Sequence, residues 1–109
     1  MELIYVAGKY RATTEWDLEQ NIRVAEDATV RLVRLGYAVI CPHKNTAHLG
    51  GSAPDEVWLQ MYIEIVGRCD GIYLLKGWQQ SKGAVRELKH ALAQRLTVYR
   101  EGINEPPEV

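Results

Sequence analysis

The sequence predicts an α/β domain in three layers, a parallel sheet of four strands, or five, with helices on both faces. Three observations lead there. Short apolar runs alternate along the chain with longer segments of helical periodicity. Glycine, proline or a capping residue marks nearly every junction. The strand segments are apolar throughout, as strands buried on both faces are. Residues 1–101 form this domain, and residues 102–109 an irregular tail.

Leu3-Ile4-Tyr5-Val6-Ala7, ended by Gly8, is the first strand. A polar loop with Lys9, Tyr10 and Arg11 follows. Thr14 and Asp17 then resemble a capping box with a shorter acid, opening a helix to about Leu35. Leu18, Ile22, Ala25, Thr29 and Leu32 keep the spacing of one helical face, and Arg23, Asp27, Arg31 and Arg34 lie largely outside it. Gly36 stands where a C′ glycine ends a helix. Tyr37 to Cys41 is the second strand, stopped by Pro42.

Residues from Pro42 to Pro54 read as a loop, long for a compact domain and therefore a candidate for function. Asp55 to Arg68 is a second helix with Trp58, Met61, Ile65 and Tyr62 turned inward. Gly71 to Leu75 is the third strand, and Lys76 to Gln80 a further loop. Ser81 caps a third helix to about Gln94, with Ala84, Leu88, Ala91 and Leu92 on its apolar side. Leu96 to Tyr99 is the fourth strand, and Pro106 and Pro107 mark an irregular, mobile end. This alternation is that of a doubly wound, flavodoxin- or Rossmann-like sheet built from right-handed crossovers. Ligands of such sheets bind beyond the carboxyl ends of the strands, so the loops after Ala7, Cys41 and Leu75 are the candidate site.

Composition narrows the function. In 109 residues, 13 Lys and Arg stand against 14 Asp and Glu, a net charge of -1, with the basic residues dispersed. That argues against nucleic-acid binding by phosphate neutralisation. No leader-like start and no run of about 18 apolar residues is present, which places the chain in the cytoplasm and off the membrane. Cys41 and Cys69 form no disulfide framework. Cys41, His43 and His48 fit no zinc spacing, so no metal or other cofactor is expected.

Glu87 is the most informative residue. Ala84, Leu88 and Ala91 place it within an inward-facing stripe near the start of the third helix, where a carboxylate costs free energy unless something uses or satisfies it. It is either a working group or a carboxylate held in a salt bridge or cap. Ser81-Lys82-Gly83 supplies backbone amides, a hydroxyl and a cation at a helix start, a cradle for an anion. Gly8 permits close backbone approach, beside the charges of Lys9 and Arg11. Neither a dinucleotide-binding glycine fingerprint nor a Walker sequence is present. His43 and His48 are candidates to touch a base or phosphate. Trp78 is either a lid over the crevice or part of a subunit contact.

Several segments together resemble the nucleoside 2-deoxyribosyltransferase-like superfamily, especially its small bacterial and phage branch. They are Ile4 to Gly8, Asn21-Ile22, Gly36-Tyr37 with Pro42-His43, Cys69-Asp70, Leu74 to Trp78, and Ser81-Lys82-Gly83 with Glu87. The resemblance implies cleavage or exchange of the N-glycosidic bond of a 2-deoxynucleoside or its 5′-monophosphate. It makes Glu87 the nucleophile at the anomeric carbon and Tyr5 its neighbour, and sets Ser81 and the Gly8 turn near the 5′ group. It also implies a site completed by a second subunit, hence a homodimer or larger assembly. One departure stands out: where the family commonly has an Asp eight residues before the leading Asp of the third strand, this chain has Tyr62. Glu64 faces another direction, and Asp55 reaches the site only from the helix start. A non-catalytic nucleotide-binding or sensing module is therefore the alternative expectation.

Overall fold

The computed structural model describes residues 1–47 and 49–109. The elements are β1 (Leu3–Ala7), α1 (Glu15–Leu35), β2 (Ala38–Ile40), α2 (Pro42–Asn45), α3 (Asp55–Val66), β3 (Gly71–Leu74), a 3-10 turn (Trp78–Gln80), α4 (Lys82–Ala93) and β4 (Thr97–Arg100). The four strands are all parallel, in the order β2-β1-β3-β4.

Side chains of a strand alternate between faces, and here each face has its own helical cover. Tyr5, Ala7, Ile72 and Leu74 pack with Tyr62 and Val66 of α3 and with Ala84, Leu88 and Ala91 of α4. Ile4, Val6, Tyr73 and Leu75 pack with Ala25, Ala28 and Leu32 of α1. The three-layer expectation is met. Thr14 caps α1 by accepting from the Asp17 amide at 3.1 Å. Gly36 ends it at φ +106°, a left-handed conformation that glycine adopts without strain, and its amide bonds the carbonyls of Leu32 and Val33.

Three expectations are corrected. The segment after β2 is not wholly loop: Pro42 ends the strand but also starts α2, because its fixed φ and missing N–H suit the first helical position. Leu92 is exposed, since the buried arc of α4 centres on Ala84, Glu87, Leu88 and Ala91 and Leu92 falls at its edge. The tail is irregular but anchored. The Val109 amide bonds the Leu35 carbonyl at 2.9 Å, Tyr37 donates to the Pro107 carbonyl, Tyr73 donates to Glu105, and Pro106 is buried. No helix among the described residues is long and apolar enough to cross a membrane.

Candidate functional site

From β1 the chain steps outward to β2, then crosses back to β3 on the other side of β1. The reversal leaves a crevice beyond the carboxyl ends of β1 and β3. A cavity of about 570 Å³ opens there, walled by the loop after β1, by α2 and the loop that follows it, and by facing sides of α3 and α4. Small-molecule sites span roughly 300–1,000 Å³.

Glu87 lies on this wall and is buried. The hydroxyl of Tyr5, in the middle of β1 and fully buried, donates to its Oε2. Burial pushes the Glu87 carboxyl up to about 7, and the Tyr5 hydrogen bond opposes that rise. Burial, then the adjacent carboxylate, drives the Tyr5 phenol well above its ordinary range, so it stays a proton donor. Among the described residues Glu87 Oε1 has no hydrogen-bond partner and is not sealed from the cavity. One carboxylate oxygen is thus pinned and the other is available to a ligand.

Asp55, Trp58, Leu59 and Tyr62 line the facing wall, spaced so that α3 presents them on one side. Tyr62 sits deepest, with its hydroxyl donating to Thr46 Oγ1 at 2.9 Å and its ring edge-on to Tyr5 at 6.3 Å. Asp55 is at the rim, largely exposed, and pairs with Arg11 across the mouth at 2.6 Å. Glu56 and Arg86, 2.9 Å apart, tie the rim of α3 to α4. Ser81 Oγ accepts from the Ala84 amide at 3.1 Å, the expected cap. The amides of Lys82 and Gly83, with no carbonyl one turn earlier, are the donors a helix start offers to a ligand.

A family model described as Domain of unknown function (DUF4406) matches residues 2–100. The chain belongs to this family. The match takes in every side chain on the cavity wall. No curated protein matches the chain.

In this DUF4406 domain the cavity brings together Gly8, Lys9, Arg11, His43, Ser81, Gly83 and Glu87, as the sequence suggests. Tyr5 is not on the wall but lies beneath Glu87, which makes it a positioning residue. Trp78 is not on the cavity wall but packs, partly buried, against the core beside α4, so of the two expected roles the lid is not seen. Gly8 also acquires a different reason. A Cβ there would stand 2.6 Å from Leu75 Cδ1, so the glycine is required by the packing of the loop after β3. His48 lies outside the described residues.

His43 is 3% exposed and donates from Nε2 to the Lys9 carbonyl at 2.8 Å. That bond fixes the neutral tautomer with Nδ1 unprotonated, and Nδ1 has no partner among the described residues. Burial holds the imidazole below its ordinary pKa. Tyr10 meets it edge-on at 5.6 Å. Tyr10 and Leu59 were not singled out from the sequence, and Trp58 was read as core. The signal for Trp58 and Leu59 is the four-residue face of α3 that Asp55 and Tyr62 bracket, and Tyr10, in the loop after β1, has none. Among the described residues no three His, Cys, Asp or Glu side chains converge to hold a metal ion.

Proposed function

We propose that this protein is an N-glycosidase or deoxyribosyltransferase acting on a 2-deoxynucleoside or its 5′-monophosphate, with Glu87 as nucleophile. The observation that carries the reading is a buried carboxylate facing a ligand-sized cavity at the switch point, with one oxygen held by Tyr5 and the other open. A pKa near 7 leaves a substantial anionic fraction at neutral pH. Glu87 Oε1 attacks the anomeric carbon as the C–N bond breaks, and the base leaves with the electron pair. Water, or the nitrogen of an acceptor base, then displaces the glutamate from the opposite face, giving net retention. Ser81, the Lys82 and Gly83 amides, Lys9 and Arg11 suit a 5′-phosphate. Tyr10, Trp58 and Leu59 suit the flat face of a base.

The proposal extends to a cytoplasmic homodimer or larger assembly. Two free thiols, Cys41 and Cys69, suit a reducing compartment. The test is release of free base from deoxynucleoside 5′-monophosphates by wild type and by Glu87→Gln, with the assembly mass measured by light scattering. Release that survives in Glu87→Gln rules the nucleophile out. A nucleotide-binding or sensing module is the second reading, favoured by Tyr62 in the place of an acid. Saturable nucleotide binding with no turnover, retained in Glu87→Gln, selects it.

A further inference from the structure

Among the described residues, the cavity presents a nucleophile but no matching acid beside it. Its wall carries two carboxyl groups among the described residues, Glu87 and Asp55. Asp55 begins α3 and Tyr62 follows two turns later, about 10 Å down the helix axis at 1.5 Å per residue. It is Tyr62, buried, that packs edge-on against Tyr5, the residue that holds Glu87. Asp55 is held at the rim by Arg11 with most of its side chain in solvent. An acid that protonates a leaving group is held close to it and poised to release a proton, and an exposed Asp55 paired with Arg11 does not suit that part.

Of the other proton carriers among the described residues of the wall, His43 and Tyr62 are engaged elsewhere. His43 points its one N–H at the Lys9 carbonyl, and its second nitrogen carries no proton to give. Tyr62 donates to Thr46. Lys9, Arg11 and Lys82 are exposed at the rim, at the level of Asp55 and the start of α4. Tyr10 stands against His43 in the loop after β1.

A neutral purine or pyrimidine leaves slowly unless a proton reaches it. A base that is already cationic needs none, since it departs neutral when it takes the C–N electron pair. The rest of the cavity suits such a ligand. Aromatic rings of Tyr10, Trp58 and Tyr62 line the cavity together with the Glu87 carboxylate, an environment that favours a cationic ring. The rim is cationic and suits a phosphate.

Resting on the reading of Glu87 as nucleophile, we infer that the preferred substrates are N-glycosides with a cationic leaving group, N-ribosylpyridinium or N7-alkylpurine nucleotides. Glu87 Oε1 bonds to the anomeric carbon and the base leaves as a neutral molecule. Water then displaces Glu87, delivering its oxygen to the sugar and one proton to solvent, and the carboxylate is restored.

The experiment compares 7-methyl-2′-deoxyguanosine 5′-monophosphate with 2′-deoxyguanosine 5′-monophosphate, which differ by the methyl that makes the leaving group cationic. Nicotinamide mononucleotide serves as a pyridinium probe. Base release is followed by chromatography at pH 7 after subtracting spontaneous loss, with Glu87→Gln as control. General-acid assistance contributes about 10²–10⁴-fold, so kcat/KM for the methylated nucleotide exceeds that of its parent by at least about 100-fold. Rates within about tenfold of each other overturn the inference and leave the glycosidase reading standing. No release from any of the three, with the protein folded, overturns both.

Discussion

Tyr5 and Glu87 are 82 residues apart in sequence and joined by one buried hydrogen bond from the phenol to Oε2. The bond ties the middle of β1 to the second turn of α4 and orients a carboxylate toward the cavity. It also opposes the desolvation that keeps Glu87 protonated.

Removing the phenol therefore raises the Glu87 pKa further. On the proposed glycosidase reading, the ascending limb of the kcat/KM profile in Tyr5→Phe moves to higher pH. A hydrogen bond to a charged group is worth about 1.5–3 kcal/mol, so activity at pH 7 falls roughly 10- to 100-fold and recovers in part at pH 9. An unchanged profile with a uniformly lower rate removes Tyr5 from control of the carboxylate.

Glu87 also makes stability depend on pH. Its pKa is raised from 4.5 to about 7, so from pH 4.5 upward the unfolded chain loses this proton before the folded protein does. Stability is full below 4.5, falls as pH rises to about 7 and then levels. Glu87→Gln escapes that loss and is more stable than wild type at pH 8 by about 3 kcal/mol, with most of the difference gone at pH 5. Urea unfolding at the two pH values measures it. A variant less stable at pH 8 shows that Glu87 is held as a structural ion.

Gly8 and Gly83 separate two uses of glycine on one cavity wall. A Cβ at Gly8 meets three Leu75 atoms at 3.0 Å or less, and one at Gly83 meets Leu59 Cδ2 at an ordinary 3.4 Å. Gly8→Ala is expected to cost about 1–3 kcal/mol through overpacking. Gly83→Ala leaves stability unchanged or raises it by up to about 1 kcal/mol. Thermal unfolding of the two variants side by side checks the contrast.

Arg11 and Asp55 form an exposed pair, so Arg11→Ala changes stability by less than about 1 kcal/mol. Its effect is expected in binding. Affinity for a nucleoside 5′-monophosphate drops several-fold while that for the corresponding nucleoside does not, as titration calorimetry can read. Equal losses for both ligands argue against a phosphate contact.

Much of the site was legible before any coordinates. Glu87 stood out because an acid occupied an apolar stripe, and Ser81 because a hydroxyl preceded a helical period. Trp78 is ambiguous in sequence because an aromatic between a glycine and a cap has no period to assign its face. The 3-10 turn lays its ring, partly buried, against the core. Gly8 was assigned to ligand approach, since Leu75, the side chain that excludes a Cβ, lies 67 residues away.

By itself the sequence determined the four strands, the three long helices, their order and the parallel sheet. Periodicity, caps and strand apolarity act within a few residues, and short crossovers have one favoured hand. Only the tertiary structure decided which side chains share the cavity: that Tyr5 holds Glu87, that Tyr62 packs on Tyr5 while Asp55 pairs with Arg11 at the rim, and that the tail is anchored by Leu35, Tyr37 and Tyr73. Those relations depend on strand order and helix placement, which join residues from distant parts of the chain and leave no local pattern.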